Sequence, residues 1–176
     1  MLQFRLTKYD PAHRDHRGVY LRQEWTSSAH VGRSFGGVLL TEAEYLRVEE
    51  AYASCAVAFL REAGVASLAV EGLENPRGLT LPFSEGTSLS LEEITGVLRR
   101  VLREEFWCRL EGEQAFVHID WDYYLFFGVP IPCPEAEAAA RERGLFVEPC
   151  PTPFQERGGG ECPAVPVSDT APDPRS

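Results

Sequence analysis

The strongest constraint on the fold is one long amphipathic segment, residues 41–64. Thr41 followed by Glu44 has the spacing of a capping box, which marks the start of a helix. Gly64 is typical of a helix end. Between them, apolar side chains recur at spacings of three and four residues, which places them on one helix face. That stripe consists of Tyr45, Val48, Tyr52, Cys55 and Phe59. Further apolar residues widen it, so the sequence predicts a central helix.

Two more helices and several strands complete the expected fold. Ser90 with Glu93 forms a second capping box, and a short third helix begins at Pro134 and ends before Gly144. The segments that favour strands are Leu2–Leu6, Val19–Trp25, Val65–Val70, Phe106–Glu111, Ala115–Gly128 and Leu145–Val147. Strands and helices do not alternate strictly. The sequence therefore predicts an α+β fold, with an antiparallel or mixed β-sheet and two long helices and one short helix packed mainly on one face.

The clearest hairpin signal spans residues 106–128. A two-residue turn at Gly112-Glu113 would pair Leu110 with Ala115 and Trp107 with His118. Side chains alternate between the two faces of a strand, and one face is expected to be core: Cys108, Leu110, Val117, Ile119, Trp121, Tyr123, Leu125 and Phe127. The opposite set, called here the strand face, is the candidate binding surface: Trp107, Arg109, Phe116, His118, Asp120, Asp122, Tyr124 and Phe126.

Three interpretations of the strand face remain open. His118, Asp120 and Asp122 at alternate positions carry donors that metals accept and groups suited to acid–base catalysis. However, the first and last lie roughly 13 Å apart along a strand, too far for one ion. A metal would need further ligands from elsewhere in the chain, and the sequence nominates none, so we assign no metal, catalytic residue or cofactor to this face. The second interpretation is ordinary packing, with the aspartates solvated or paired with Arg109. The third is a recognition surface, because aromatic residues and arginine dominate interface energetics.

The charge balance excludes several classes of partner. The chain has 27 acidic against 17 basic residues and a net charge of −10. Such a chain does not favour nucleic acid, whose phosphates need a basic surface, or an anionic membrane surface. There is no run of about 20 apolar residues to span a membrane, and the N-terminal residues do not have the pattern of a signal peptide. A cytoplasmic location is therefore expected.

The cysteines carry no metal signature. Cys55, Cys108, Cys133, Cys150 and Cys162 are widely spaced, without the close pairs of a zinc site. Free thiols are expected for a reducing compartment. On the predicted strands Cys108 and His118 lie on opposite faces, so a Cys–His nucleophile pair is not expected.

Composition divides the chain into two parts. Residues 149–176 hold seven of the 13 prolines and a run of three glycines. A segment of this composition buries too little apolar surface to offset the entropy that it would lose on ordering. We therefore expect one α+β domain over residues 1–148 and a flexible tail over 149–176, with packing on the domain as an open alternative for residues 149–154. The tail carries four acids and two arginines, which leaves −8 of the net charge on residues 1–148.

Several short motifs resemble those of a family of small uncharacterised bacterial proteins. The motifs are Lys8-Tyr9-Asp10-Pro11, Glu24-Trp25-Thr26-Ser27, Leu40-Thr41-Glu42-Ala43-Glu44-Tyr45, Trp107-Cys108-Arg109-Leu110, His118 with Asp122-Tyr123-Tyr124, and Gly144-Leu145-Phe146-Val147-Glu148. They cover about residues 2–148. The resemblance implies a bacterial cytoplasmic setting and one domain, and it supplies no catalytic residue.

The leading functional expectation is a non-enzymatic acidic module that binds a basic protein, in the manner of an immunity protein or antitoxin. Opposite potentials speed association and limit partner choice. One alternative is a small hydrolase or metal-dependent enzyme that uses His118, Asp120 and Asp122, with Glu24 as a further group. Another is a structural domain that forms homodimers through Phe116, Tyr124 and Phe126.

Overall fold

A computed structural model describes residues 1–120 and 122–154 of the 176-residue chain. The strands are β1 (Leu2–Thr7), β2 (Ser34–Phe35), β3 (Val38–Leu39), β4 (Ser67–Glu74), β5 (Ser88–Ser90), β6 (Trp107–Glu111), β7 (Phe116–Ile119), β8 (Leu125–Val129) and β9 (Phe146–Pro149). The helices are α1 (Glu42–Glu62), α2 (Leu91–Leu102) and α3 (Pro134–Glu142). Within this part of the chain, no helix has the length and apolar content that crossing a bilayer requires.

Seven of the strands form one sheet in the order β5-β4-β6-β7-β8-β1-β9. Each neighbouring pair runs antiparallel. The helices contribute buried residues to the same apolar cluster as the inward-facing strand residues. The predicted α+β fold with an antiparallel sheet is thus confirmed.

Helix α1 is the central helix of the core. The Thr41 hydroxyl accepts from the Glu44 N–H at 3.2 Å and caps its first turn. Its apolar stripe is buried, and the Phe59 ring lies 4.3 Å from that of Phe127 on β8, centroid to centroid. Neither of these two aromatic residues has any exposed surface. The predicted stripe therefore anchors the helix layer to the middle of the sheet.

The other two helix starts also follow local sequence rules. Both hydrogen bonds of the Ser90–Glu93 capping box form at the start of α2. Helix α3 begins at Pro134, whose missing N–H costs nothing in the first turn. The C-terminal end of α2 is less regular, because Glu104 adopts a left-handed conformation two residues beyond the helix.

Two expectations about the strands are wrong. Residues 19–25 form no strand, and only Tyr20 makes an isolated bridge, to Arg14. The β6–β7 hairpin pairs Leu110 with Val117 and Glu111 with Phe116, so its loop spans residues 112–115. The register is displaced by two residues from the one that a two-residue turn would give. Because that displacement is even, each side chain keeps its face.

The long strand over residues 115–128 is also wrong, because the chain folds back within it. β7 and β8 form a hairpin in which His118 lies opposite Phe126. In the connection the Asp120 N–H donates to the Tyr124 carbonyl at 2.8 Å. Asp120 and Asp122 therefore lie in a turn rather than beside His118 on one strand. The described members of the predicted core face are buried, while Trp121 lies outside the described residues.

Residues 150–154 cross the outer face of the sheet. Cys150 and Phe154 pack there against Phe116 and Phe126. The Thr152 N–H donates to the Gln3 side chain at 2.9 Å. The first residues of the predicted tail thus contact the sheet, and the rest of it, residues 155–176, lies outside the described residues.

Three cysteines match the expectation of free thiols and one does not. Cys55, Cys108 and Cys133 are free and buried. Burial raises the pKa of the Cys108 thiol to about 12, so it stays protonated at neutral pH. Cys150 is disulfide-bonded, and the expectation is wrong for that residue. Sequence spacing does not reveal which segments a fold brings together, and Cys162 lies outside the described residues.

One prediction concerns acid sensitivity at the sheet edge. Glu148 on β9 is 7% exposed and accepts hydrogen bonds from Arg5 at 3.0 Å and Arg14 at 2.9 Å. Burial acts to raise the pKa of Glu148, but the two guanidinium groups outweigh it and lower the pKa. The ionised Glu148 carboxylate therefore stabilises the folded state fully above its unfolded-state pKa of about 4.3. This stabilisation is lost as pH falls through the lower folded-state pKa.

We expect Glu148→Gln to reduce the free energy of unfolding at neutral pH by about 2 kcal/mol. The variant should also lose less stability than wild type between about pH 5 and pH 3. Urea unfolding across that range tests both effects. If the free energy of unfolding depended on pH identically in the two proteins, the lowered pKa assigned to Glu148 would be contradicted.

Candidate functional site

Three members of the strand face are covered by the chain itself. Phe116, His118 and Phe126 are buried. His118 stacks on Phe116 with ring centroids 4.5 Å apart, and its Nδ1 lies 3.0 Å from the Thr152 hydroxyl. Its Nε2 lies 2.7 Å from a carboxylate oxygen of Glu111. With no exposed surface, His118 has no access to a substrate while residues 150–154 remain in place.

The other five members of the strand face are spread over four locations. Arg109 lies 4.0 Å from Glu71 on β4, nitrogen to oxygen. Tyr124 is half-buried beneath Arg5, whose guanidinium lies 4.9 Å from the ring centroid. Asp122 is exposed. The remaining two, Trp107 and Asp120, line a cavity.

The turn that carries Asp120 is held from behind by two distant tyrosines. The Tyr9 hydroxyl donates to the Asp122 carbonyl at 2.8 Å. The Tyr52 hydroxyl donates to the Tyr123 carbonyl at the same distance. Both tyrosines are buried, so their donors are directed at fixed points. The backbone of Asp122 and Tyr123 is thereby held in place.

Trp107 fixes the other end of this turn. Its indole N–H donates to the Ile119 carbonyl at 3.1 Å, at the last residue of β7. Trp107 therefore has two roles: its side chain lines the cavity and also positions the strand end from which the turn departs.

Tyr123 is the strained residue of the turn. Its φ is 62°, in the left-handed region that L-residues enter at a cost of about 1–2 kcal/mol. The side chain is 3% exposed, and its ring packs edge-on to Trp25 with centroids 5.0 Å apart. Burial raises its pKa, so the hydroxyl remains protonated. Among the described residues, this hydroxyl is the only buried side-chain polar atom without a hydrogen bond.

The neighbouring Tyr45 contributes to the raised pKa of Tyr123, after burial, which is the larger cause. Its own hydroxyl proton is directed to the Leu102 carbonyl at 3.4 Å. Strained backbone and an unpaired polar group persist only where the surroundings over-determine them, and they concentrate at functional sites.

The strained turn forms one wall of a cavity of about 310 Å³, called here the hairpin cavity. Among the described residues, its apolar wall is formed by Pro76, Val101, Leu102, Phe106, Trp107, Ile119 and Tyr123. Its described polar lining is formed by Thr26, Glu74, Arg77, Glu104 and Asp120. The cavity thus lies where β4, the end of α2 and the β7–β8 turn meet.

Glu104 is the second strained residue of this cavity. Its φ is 57°, and among the described residues it and Tyr123 are the only non-glycine residues with positive φ. It stands where helices commonly end on glycine, and its N–H donates to the Val101 carbonyl at 2.8 Å. Both exceptions to backbone preference therefore border the same cavity.

The mouth of the hairpin cavity is acidic. Glu74 and Glu104 are exposed and Asp120 is half-buried. Among the described lining residues, these three carboxylates face one guanidinium, that of Arg77. An apolar interior with a negatively charged mouth suits a group that is apolar at one end and positively charged at the other. Within the described part of the chain, no group of three or more His, Cys, Asp or Glu side chains is placed to hold a metal ion.

Several site residues were not foreseen from the sequence. Glu74 and Arg77 lie in a segment that shows only turn signals, and Glu104 lies in a polar run after α2. The one local signal at Glu104 is the absence of glycine at a helix end. Tyr9 and Tyr52 act on the turn from 113 and 71 residues away, so no local pattern identifies them.

A second cavity, of about 510 Å³, lies beside the β2–β3 hairpin. Glu24 and Trp25 line it, and both contact Lys8, the only lysine of the chain. The Lys8 ammonium lies 2.9 Å from Glu24 and 4.3 Å from the centroid of the Trp25 ring. Burial lowers the pKa of Lys8 despite the facing carboxylate. This ion pair ties the irregular segment 19–25 to the end of β1.

Glu104→Gly tests whether the left-handed backbone at residue 104 is strained. Glycine adopts φ near 57° without steric cost, so we expect the free energy of unfolding to rise by about 1 kcal/mol. The reverse change is Gly144→Ala. Gly144 follows α3, its φ is 74°, and the space around it is open, so only the backbone conformation opposes a side chain there. This variant should lower the free energy of unfolding by about the same amount. Urea unfolding measures both. A loss of stability in Glu104→Gly would contradict the expectation.

Comparisons with models of known protein families, with curated proteins and with solved structures find no match. The resemblance of the sequence motifs to a bacterial family therefore remains an expectation.

Proposed function

We propose that this protein is a non-enzymatic acidic binding module, immunity- or antitoxin-like, that masks a basic protein partner. The observation that carries the proposal is the hairpin cavity, with its apolar interior and carboxylate mouth. Interfaces concentrate their binding energy where an apolar or aromatic group of one partner fills a preformed pocket of the other. Here the cavity is that pocket.

The charge of the folded part supports the same partner. Residues 1–148 keep −8 of the total net charge of −10. A field of this sign attracts a cationic surface and raises the rate of association at low ionic strength. A basic group of the partner can then bind at the cavity, which is lined by Glu74, Glu104 and Asp120.

The rigidity of the cavity wall supports a role in binding. The turn is held by Tyr9, Tyr52 and Trp107, so little conformational freedom is lost when a partner docks. The strand face retains a smaller role in this proposal than the sequence suggested. It contributes Trp107 and Asp120 to the cavity, whereas Phe116, His118 and Phe126 support the sheet from beneath residues 150–154.

A matched pair of double variants tests the proposal in a salt-dependent capture experiment. Glu74→Gln with Glu104→Gln neutralises the mouth, and Glu113→Gln with Glu142→Gln removes the same charge from exposed positions elsewhere. We expect wild type and the second variant to capture the same basic protein from bacterial lysate at low salt. The first variant should bind it about 5- to 10-fold more weakly. Equal capture by both variants, or capture that does not respond to salt, would refute the proposal.

A further inference from the structure

The interior of the hairpin cavity determines which part of a ligand can enter. Phe106 and Tyr123 are buried, and Val101 and Leu102 close the inner side. A charged group placed against these side chains would lose its hydration without a partner, at a cost of several kcal/mol. The group that enters must therefore be apolar, and aromatic walls favour an aromatic ring.

The size of the cavity is sufficient for such a group. Its volume of about 310 Å³ is about twice that of an apolar cavity that holds one benzene ring. A phenyl ring with a short alkyl chain therefore fits this space.

The mouth determines the charge that such a ring can carry. Glu74 and Glu104 are exposed, so they stay hydrated while they border the opening. A cation one short chain away from the ring reaches them without entering the apolar interior. An anion at the same place would meet three carboxylates and one guanidinium among the described lining residues.

We propose that the hairpin cavity binds an aryl-alkyl cation: one aromatic ring against Phe106, Trp107 and Tyr123, with an ammonium or guanidinium group at Glu74 and Glu104. This inference rests on the proposed function and specifies the chemistry that its pocket accepts. The same chemistry has two sources, a phenylalanine next to a basic residue of a partner and a free aryl-alkylamine. The residues that bind it are the same in both cases.

Four small probes separate the contributions of ring and charge. Phenethylamine has the ring and the cation, 2-phenylethanol has the ring without charge, 3-phenylpropionate has the ring with an anion, and propylamine has the cation without the ring. Fragments of this size bind weakly, so affinities are measured by protein-observed NMR titration. We expect phenethylamine to bind about 10-fold more tightly than 3-phenylpropionate, with propylamine the weakest.

The variants locate the charge preference. In Glu74→Gln with Glu104→Gln, phenethylamine and 2-phenylethanol should bind within about twofold of each other, because only the carboxylates distinguish them. Glu113→Gln with Glu142→Gln should keep the wild-type order. Thermal unfolding of both variants confirms that they are folded. Absence of saturable binding, equal affinity for the cation and the anion, or an unchanged preference in the first variant would overturn the inference.

A capped Arg-Phe-Arg peptide distinguishes the two sources. Tighter binding of the peptide than of phenethylamine assigns the site to a partner segment, and the opposite order assigns it to a free amine. The inference and the proposed function can fail separately. If the lysate partner depends on Glu74 and Glu104 but none of the probes binds, the proposed function stands and the ligand chemistry is wrong. If phenethylamine binds as expected but capture does not depend on these residues, the proposed function is wrong.

Discussion

Replacing Tyr52 with phenylalanine is expected to lower the free energy of unfolding by about 3 kcal/mol, although it removes a single oxygen atom. That hydroxyl accepts from the Lys8 N–H at 2.6 Å and donates to the Tyr123 carbonyl at 2.8 Å. Both bonds are at least partly buried, and Tyr52 itself has no exposed surface. Each backbone group left without a partner costs about 1–3 kcal/mol.

The matched control for this change is Tyr45→Phe. Tyr45 is also a buried tyrosine of α1, but the backbone hydrogen bond of its hydroxyl is long, 3.4 Å to the Leu102 carbonyl. We expect Tyr45→Phe to cost less than about 1 kcal/mol. Urea unfolding of the two variants measures the difference. Amide hydrogen exchange should also show faster exchange at residues 120–124 in Tyr52→Phe alone. Equal losses of stability would contradict the assigned role of Tyr52.

Replacing Arg103 with methionine is the second change with a large expected effect. Glu49 on α1 is 2% exposed, and its two carboxylate oxygens accept hydrogen bonds of 2.7 Å from the Nε and Nη2 atoms of Arg103. The Arg103 side chain is 42% exposed, so solvent screens part of this interaction, but the Glu49 side chain is only 3% exposed. We expect the free energy of unfolding to fall by about 2 kcal/mol, because the substitution leaves the buried Glu49 carboxylate without its counter-charge.

Two further variants make the Arg103 prediction specific. Arg99 also extends from α2 to a glutamate of α1, Glu50, but both side chains are substantially exposed. Arg99→Met should therefore cost less than about 1 kcal/mol. Combining Arg103→Met with Glu49→Leu removes both charges and should restore at least half of the loss. Chemical unfolding of the four proteins tests this, and similar losses for the two single arginine variants would contradict it.

Helix positions were predictable because their determinants are local. Thr41 and Ser90 cap the first turns that follow them, and Pro134 starts α3 as expected. The alternation of Cys108, Leu110 and Val117 between faces was equally predictable. It depends on a period of two that a register displacement of two residues leaves unchanged.

The candidate site was less predictable because distant residues create it. Asp120 and Tyr123 continue the alternation of a strand, and the sequence gives no sign that the chain turns there. The turn depends on hydrogen bonds from Tyr9, which follows β1, and from Tyr52 on α1. These residues are 113 and 71 positions away in sequence from the residues that they bind. Glu104 likewise takes a conformation that its residue type disfavours. Local propensity fails at the positions where tertiary contacts impose strain, and those positions border the cavity.

The central claim is that the hairpin cavity is where this protein binds. A titration of the ¹⁵N-labelled protein with phenethylamine, followed by ¹H–¹⁵N correlation spectra, tests the location most directly. The account predicts saturable shifts concentrated in residues 74–77, 101–107 and 119–124, with small shifts at Phe35–Leu40 beside the second cavity. Shifts concentrated at Phe35–Leu40, or none that saturate, would contradict it.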